Sequence, residues 1–550
     1  MTGRRAIGVV MLALALAGCA SIPQSGPVIK GDRIGTLGNE VCVRVIARPP
    51  TDGMSQEALV RGFLSACASL AEGDETARQY LTDEASRAWH PLRQIRVYDA
   101  AALTVKGAND VVRVSAPLLG SLGTDRRYAV AEPGATIADD LKLTKVNGEW
   151  RIAEAPVAAY LSQSDLQRSY RVHKIFFLND ALDRVVPEYV MLPMSTPDIT
   201  TALVQLLLSG PAESDGAALK TAIPEGTTLG FGGVAVSYSI ATVPLSRKVL
   251  MATDDARRGL LAQIAWTLRQ LPYVGSVVVN ADGTAVYPQT GPTSVDSYNP
   301  TPPTPALTFV RDERAMVARG TQHSYPLAGY PIAEAVESSE GDMTIGVAAG
   351  RKVLYIERGL STIAVAAGGD IASPTITPDG AVWFVDREPS GGLYRWTSDD
   401  GISPVHLALP PRSRVLDFSI APDGSRIALV LSLGATASLR IGTIHSDATG
   451  FTVASLRRVE QQLTSVSGVA WMDDANIAVL GTIGTVALQP IEIALPLGTL
   501  TLLGGPANAV SLTADPGSPL VVADQAGQMW HLDAGKWTAS ELGTAPRYGN

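Results

Sequence analysis

The chain has 550 residues, of which 46% are apolar, and a formal net charge of −9 at pH 7. This length predicts three or four domains, and the apolar fraction is sufficient for packed cores. The acidic balance argues against a nucleic-acid partner, because phosphate binding requires a basic face.

Residues 1–18 have the pattern of a bacterial export signal. Arg4 and Arg5 form a short basic head, an apolar run extends from Ala6 to Ala17, and small residues follow. About twelve apolar residues are too few to span a bilayer, which needs roughly 20. Paired arginines also occur in twin-arginine export signals, but the residues around this pair do not support that route.

The end of this segment, Leu16-Ala17-Gly18-Cys19, resembles the lipobox of bacterial lipoproteins. The resemblance implies that residues 1–18 are removed and that Cys19, now the first residue, carries an S-diacylglycerol group and an N-acyl chain. A thiolate is a strong nucleophile, which suits this alkylation. Two or more acyl chains anchor a protein stably, so we expect it on the extracytoplasmic face of the cell membrane. The alternative is a cleaved soluble protein with an incidental cysteine.

Residues 19–38 are rich in proline, glycine and polar residues, which predicts an extended tether. Beyond the tether only Cys42 and Cys67 remain, and two cysteines can pair in an oxidising compartment. Cys67 lies on the apolar face of a predicted helix with Leu59 and Phe63, whereas Cys42 alternates out of phase with the neighbouring valines. A disulfide between Cys42 and Cys67 is therefore a hypothesis that the pattern neither favours nor excludes.

Residues 39–165 are predicted to form an α+β domain. Ser55 can cap a helix running to about Leu70, and a second helical stretch surrounds Tyr80 to Trp89. Strand-like runs follow, the last of them after a turn at Asn147-Gly148. Helices followed by a curved antiparallel sheet resemble the nuclear-transport-factor-2-like (NTF2-like) fold. No ligand set is evident, and His90 at a helix end is interpreted as structural.

Residues 166–290 contain an apolar strand at Val172–Leu178, a helix start at Ser195–Asp198 and a second helix from Thr253 to Leu271. Their order resembles the α/β GerM domain of bacterial spore-germination and lipoprotein chains. We assign structural roles to the turn residues and apolar stripes, and the resemblance implies a binding surface for an envelope partner. It is carried by Leu207-Leu208-Ser209-Gly210-Pro211, Ala222-Ile223-Pro224-Glu225-Gly226-Thr227 and Gln263-Ile264-Ala265-Trp266-Thr267-Leu268.

Residues 291–305 form a proline-rich linker, and residues 306–550 repeat an apolar strand, a tight turn and further strands. This repeat predicts an all-β propeller with five or six blades, in which Leu307–Arg319 either completes the last blade or belongs to a sixth. We interpret the turns as hairpins and not as calcium loops, because no ligand series accompanies them. They lie at Gly341-Asp342, Asp379-Gly380, Asp423-Gly424, Asp473-Asp474 and Asp515-Pro516-Gly517.

The sequence lacks the local motifs of common enzymes, including the nucleophile elbow, the zinc-protease helix and the phosphate loop. The stretch Gly230-Phe231-Gly232-Gly233 does not have the spacing of a dinucleotide fingerprint. We therefore expect no enzymatic activity, no catalytic residue, no metal and no cofactor. The six histidines are scattered over all domains: His90, His173, His323, His406, His445 and His531.

The order of these parts resembles the actinobacterial LpqB lipoprotein family over the full length of the chain. The resemblance implies an accessory to the MtrA–MtrB two-component system, which binds the extracytoplasmic part of the sensor kinase MtrB. It implies effects on cell-wall homeostasis and cell division. The alternative is a lipoprotein that binds peptidoglycan or remodels the cell wall.

Overall fold

The computed structural model describes residues 47–70, 73–212, 218–290, 294–299, 305–409, 411–434, 436–506 and 508–549. The predicted export signal, Cys19, the tether and Cys42 lie outside the described residues, so the predictions made for them stay predictions. Within the described ranges, no helix has both the length and the apolar composition that crossing a membrane requires.

The first domain packs short helices against a curved sheet around one core, and its predicted α+β class is confirmed. Ser55 caps the first helix by accepting a hydrogen bond of 3.2 Å from the amide of Ala58, as its position predicts. The helices are α1 (Gln56–Cys67), α2 (Glu75–Arg78) and α3 (Asp83–Ala88), with 3-10 turns at Pro91–Arg93 and Ala100–Ala102. The strands are β1 (Ile95–Tyr98), β2 (Thr104–Ala108), β3 (Val111–Leu122), β4 (Tyr128–Val130), β5 (Thr136–Val146), β6 (Glu149–Ile152) and β7 (Ala159–Ser162).

The sheet follows the order β6-β5-β3-β1-β7, and β2 and β4 pair with β3. Strand β7 pairs in parallel with β1, while the other pairs are antiparallel. The turn at Asn147-Gly148 has φ values of 52° and 87°, so the predicted tight hairpin between β5 and β6 is confirmed.

The second domain starts with the long hairpin of β8 and β9 and continues with helices that pack against it. Its predicted strand and helices are found close to the expected positions, apart from small shifts at their ends. The helix α4 (Gln163–Ser169) precedes the hairpin and places Leu166 in the core of the first domain. The helices of the second domain are α5 (Ile199–Leu208) and α6 (Asp254–Arg269), with 3-10 turns at Arg247–Met251 and Asp296–Tyr298. The strands are β8 (Tyr170–Leu178), β9 (Val185–Pro193), β10 (Ala235–Ser237), β11 (Ile240–Leu245), β12 (Ser276–Ala281) and β13 (Thr284–Ala285).

Gln263 explains why part of the quoted helix motif is polar. Its side chain is fully buried on α6, where the amide oxygen accepts a 2.8 Å hydrogen bond from the Ala222 amide and the amide nitrogen donates to the Phe176 carbonyl at 3.2 Å. The glutamine thus holds β8 and the Ala222–Thr227 segment to α6, which is a structural role.

The propeller contains six sheets, and the stretch Leu307–Arg319 belongs to a sixth blade. In that blade, the C-terminal strand β38 joins β14, β15 and β16 in the order β16-β15-β14-β38. The other blades follow in chain order. In the blade of β26 to β29, the short strand β25 pairs with β29 and makes a fifth strand. The strands are β14 (Leu307–Arg311), β15 (Arg314–Arg319), β16 (Gln322–Ser324), β17 (Ile332–Glu337), β18 (Met343–Ala348), β19 (Val353–Arg358), β20 (Ser361–Ala366), β21 (Ile371–Ile376), β22 (Val382–Asp386), β23 (Leu393–Thr397), β24 (Gly401–Pro404), β25 (His406–Leu407), β26 (Ser413–Ile420), β27 (Arg426–Leu433), β28 (Thr436–Asp447), β29 (Gly450–Arg458), β30 (Leu463–Trp471), β31 (Asn476–Ile483), β32 (Gln489–Ala494), β33 (Thr499–Leu502), β34 (Ala509–Thr513), β35 (Leu520–Asp524), β36 (Gln528–Asp533), β37 (Lys536–Leu542) and β38 (Thr544–Tyr548).

The innermost strands β17, β21, β26, β30, β34 and β38 contact one another in a closed ring. At its centre, the buried carboxylate of Glu334 contacts Arg351 at 2.7 Å and Arg547 at 3.0 Å and accepts a 2.9 Å bond from the Ser373 amide. The Ser373 hydroxyl donates to Asp417, which in turn accepts from the Val469 amide at 3.1 Å. This network joins the last strand of the chain to the strands of four other blades.

Candidate functional site

The inner strands of five blades end in acidic turns on the same face of the propeller, which we call the turn face. The aspartates hold these turns through their own backbone: Asp379 accepts from the Ala381 amide at 3.3 Å, and Asp423 accepts from the Ser425 amide at 2.8 Å. Asp473 accepts from the Ala475 amide at 2.7 Å. These contacts agree with the interpretation of the turns as hairpins, because each carboxylate replaces a turn hydrogen bond.

The hairpin of β8 and β9 docks on this turn face. Lys174 Nζ lies 2.6 Å from Asp474 Oδ2, and the Tyr189 hydroxyl donates to the Asp474 carbonyl. At the hairpin tip, Asp180 Oδ2 accepts from the Ser446 amide at 3.1 Å and lies 3.2 Å from His445 Nδ1. The second domain is therefore fixed to the propeller at two separate points.

Between the two domains lies a cavity of about 590 Å³, which we call the cleft. Its propeller side carries most of the acidic turns, and its other side carries the aromatic residues of the second domain and the linker. Such a volume is typical of small-ligand sites. The charged and aromatic lining residues include Asp342, Asp423, Asp473, Asp474, Asp515, Glu340 and Arg358 of the propeller and Phe176, Arg184, Trp266 and Tyr298 on the other side.

Asp515 differs from the other carboxylates of the cleft. Its side chain is only 6% exposed, and its Oδ2 atom has no hydrogen-bond partner within the part of the chain that the structure describes. Burial raises the pKa of Asp515 to about 7, an effect that the neighbouring Ser518 hydroxyl partly offsets. A buried carboxylate oxygen without a hydrogen-bond partner is costly, which makes this position a candidate for ligand binding.

A second cavity, of about 500 Å³, lies where all three domains meet. Arg127 of the first domain donates to Glu188 of the second at 2.6 Å and to the Gly210 carbonyl at 2.9 Å. Gln461 of the propeller donates to the Ala131 carbonyl of the first domain at 2.6 Å. These hydrogen bonds join the three domains at the cavity. Arg127 is already paired there, so we interpret the cavity as a domain junction and not as a ligand site.

The cysteines and histidines singled out in the sequence do not converge. Cys67 is buried in the core of the first domain, and its pairing with Cys42 stays a prediction because Cys42 lies outside the described residues. Burial lowers the pKa of His173 and of His531, in two different domains. His173 lies within β8 of the docked hairpin, and His445 lies on the propeller opposite the hairpin tip at Asp180. Among the described residues, no three His, Cys, Asp or Glu side chains are arranged to hold a metal ion.

The sequence did not single out Lys174 or Tyr189 for domain docking or Tyr298 for the cleft, and Trp266 was noted only as part of a structural motif. Lys174 and Tyr189 are cross-strand partners on β8 and β9, and in the sequence they look like ordinary residues of a hairpin. Trp266 lies on the helix motif that we assigned to packing, and its indole donates to the Val295 carbonyl at 3.2 Å. No local pattern marks these side chains, because their positions at the docked face and in the cleft depend on domain docking.

Three family models match the chain. Residues 49–167 match "Lipoprotein LpqB, N-terminal domain", residues 174–287 match "Sporulation and spore germination", and residues 306–548 match "Lipoprotein LpqB beta-propeller domain". The first and third models belong to the same family and together account for most of the described residues.

Curated relatives match over nearly the whole chain. A Lipoprotein LpqB from Thermobifida fusca is 29% identical over 99% of this chain and 98% of its own. A Lipoprotein LpqB from Cutibacterium acnes is 28% identical over 96% of this chain and 95% of its own. Among solved structures, TolB from Acinetobacter baumannii covers 51% of this chain and 84% of its own with 13% identity and a TM-score of 0.38, a likeness too low to bear on function.

Proposed function

Because this chain belongs to the LpqB lipoprotein family, we propose that it is an extracytoplasmic lipoprotein that binds the sensor kinase MtrB and modulates its signalling to MtrA. In this proposal, acyl chains on Cys19 anchor the protein to the cell membrane, and the protein acts by contact without catalysing a reaction. The downstream processes would be cell-wall homeostasis and cell division.

The observation that supports this proposal best is the docking of the hairpin of β8 and β9 on the turn face. Lys174 and Tyr189 contact Asp474 at one point, and Asp180 contacts Ser446 at the other. A protein that acts by contact has to present its surfaces in a fixed arrangement, and these interdomain bonds supply one. A partner bound to either domain would then meet both.

Exposed aromatic residues on the second domain offer a suitable contact surface. Phe231 and Tyr238 are fully solvent-exposed and flank the short edge strand β10, whose residues are also exposed. Large exposed aromatic side chains are enriched in protein interfaces, and an unpaired sheet edge can accept a further strand. The exposed loop at Phe231 includes the glycine-rich stretch that did not fit a dinucleotide site.

Reconstitution tests the proposal directly. MtrB is inserted into liposomes with MtrA and ATP, and phosphorylation of MtrA is followed with the lipidated chain, with the Cys19→Ser variant and without either. We expect the wild-type chain to change the rate of phosphorylation and to co-purify with the outer part of MtrB. The Cys19→Ser variant should incorporate no labelled palmitate and should have a weaker effect. Identical rates in all three samples would contradict the proposal.

A second candidate function is binding of a cell-wall component, and the cleft is the observation that favours it. A cavity of about 590 Å³ between two domains is large enough for a peptide or sugar fragment. This function predicts that the chain sediments with purified peptidoglycan. Failure to sediment, together with a change in MtrA phosphorylation, would leave kinase binding as the function.

A further inference from the structure

The carboxylates of the cleft differ in whether a cation neutralises them. Arg426 neutralises Asp423 at 2.7 Å and Lys174 neutralises Asp474 at 2.6 Å. Asp342 accepts from the Ser338 hydroxyl, and Asp473 accepts from backbone and Asn476 amides, so neither is paired with a cation in the described part of the chain. Arg184 and Arg358 also line the cleft, but the carboxyl groups without a cation partner among the described residues outnumber them, because Glu340 and Asp515 add to Asp342 and Asp473.

Asp515 adds an independent observation at the same place. Its carboxylate is more than nine-tenths buried, lines the cleft and leaves Oδ2 without a hydrogen bond among the described residues. Asp379, Asp423 and Asp473 accept hydrogen bonds from amides of their own turns, whereas this atom does not. A buried acceptor of this kind requires a donor, and a cationic donor forms the strongest bond with it.

The opposite side of the cleft is aromatic. The rings of Phe176 and Trp266 lie 6.3 Å apart between centroids with an angle of 54°, and Tyr298 lies on the same side. The hydrogen bond from the Trp266 indole to Val295 fixes the orientation of the ring. Aromatic rings attract organic cations electrostatically, and this attraction increases where water is excluded.

We propose that the cleft binds the guanidinium or alkylammonium side chain of a basic peptide segment. Asp515 accepts the hydrogen bond from the cation, the unpaired carboxylates of the turn face supply the surrounding negative charge, and Trp266 contacts its carbon chain. That this segment belongs to the kinase rests on the proposed function, whereas the binding of an organic cation does not.

The lining residues favour an organic cation over a metal ion. Calcium requires six to eight oxygen ligands that converge at about 2.3–2.6 Å. The described residues contain no group of three His, Cys, Asp or Glu side chains placed to hold a metal ion, and Asp423 and Asp473 use oxygens for their own backbone amides. The aromatic side would contribute nothing to a hydrated metal ion, but it suits the flat guanidinium group.

Calorimetry on the full chain in detergent tests this inference. The probe is the N-acetylated and amidated peptide Gly-Gly-Arg-Gly-Gly, and the same peptide with neutral citrulline in place of arginine is its control. We expect binding of the arginine peptide and not of the citrulline peptide. Asp515→Asn keeps the shape of the side chain but removes its charge, and it should weaken binding at least about tenfold.

The matched control is Asp312→Asn. β14 starts at Leu307, which pairs with Tyr548 beside the cleft. Asp312 lies in the turn after the other end of β14, on the far face of the propeller. This control changes the same charge on the opposite face and should bind as the wild type does. If Asp515→Asn does not fold, Glu340→Gln at an exposed position of the cleft serves instead, with an expected loss of about threefold.

The remaining outcomes separate the sources of the cation. Equal affinity for agmatine and for the arginine peptide would overturn the peptide assignment in favour of a free amine. Calcium that binds at the cleft and competes with the peptide would overturn the inference, as would equal binding of the arginine and citrulline peptides. Absence of any peptide binding would also overturn the cation site. The proposed binding of MtrB is tested separately by MtrA phosphorylation, so that failure of one proposal can be distinguished from failure of the other.

Discussion

Glu334 is a carboxylate that the fold keeps charged at the centre of the propeller. Burial alone would raise its pKa, but the charges of Arg547 and Arg351 together lower it below the usual range. Replacing Glu334 with alanine leaves two arginines without their partner in a buried site. We therefore expect Glu334→Ala to lower the free energy of unfolding by about 3–5 kcal/mol, measured by urea denaturation.

Glu340→Ala is the control for this substitution, because Glu340 lies on the same blade and is exposed. It should change stability by less than about 0.5 kcal/mol. A carboxyl group with a lowered pKa contributes stability above its unfolded pKa and loses it as the pH falls through the folded pKa. The difference between wild type and Glu334→Ala should accordingly narrow in acid, and a difference that is independent of pH would contradict the ion-pair explanation.

Burial raises the pKa at Cys67 as it would at Glu334, but here its effect dominates and the net shift is upward. Burial raises the pKa of its thiol to about 12, so that the reactive thiolate is scarce in the folded protein. We expect no iodoacetamide on the Cys67 peptide, by mass spectrometry, after labelling of the folded chain at about pH 8, half a unit below an unperturbed thiol. In urea without reductant, a free thiol would be labelled, whereas a disulfide with Cys42 would stay unlabelled until reduced.

The C-terminal strand β38 closes the ring of the propeller. It supplies the innermost strand of the blade that contains β14, β15 and β16, pairs with β14 and carries Arg547 to Glu334. A chain that ends at Gly543 would expose the edge of β14 and open the ring between β34 and β17. We expect this truncation to abolish cooperative unfolding of the propeller in calorimetry, while removal of Asn550 alone should have no effect. A truncated chain that melts like the wild type would show that closure is dispensable.

The turns of the propeller could be predicted from the sequence, whereas the closure of its ring could not. The turns at Asp379, Asp423 and Asp473 were predicted correctly because their hydrogen bonds join residues two or three positions apart. The number of blades could not be fixed, because β14 and β38 pair across more than two hundred residues. Local chemistry determines a turn, whereas the choice between five and six blades depends on the geometry of the whole ring.

The cleft forms only where the second domain meets the propeller, and this is why the sequence did not predict it. The acidic turns and Trp266 were both visible in the sequence, but their juxtaposition depends on the contact between Lys174 and Asp474, three hundred residues apart. Charge pairs of this kind leave no periodic pattern in the sequence. The candidate site therefore follows from domain docking and not from any motif.

Docking can be weakened by removing one side chain at each of the two contact points. The double variant Lys174→Ala/Asp180→Ala removes a 2.6 Å ion pair and the acceptor of the 3.1 Å bond from Ser446, while the Gln461 contact with the first domain remains. Together these losses should lower the free energy of docking by about 1–2 kcal/mol. If protease cuts the transiently opened form, cleavage in the linker at residues 291–305 should accelerate roughly tenfold.

Arg113→Ala/Asp140→Ala is the matched control for this docking variant. It removes one cation and one anion from an exposed pair of 2.7 Å within the first domain. The control should be cleaved at the wild-type rate, because its charges do not join domains. The docking variant should in addition lose affinity for the arginine peptide, since the cleft exists only while β8 and β9 remain on the turn face. Faster linker cleavage with unchanged peptide affinity would show that the acidic face binds the cation without the aromatic side, which would remove Trp266 from the site.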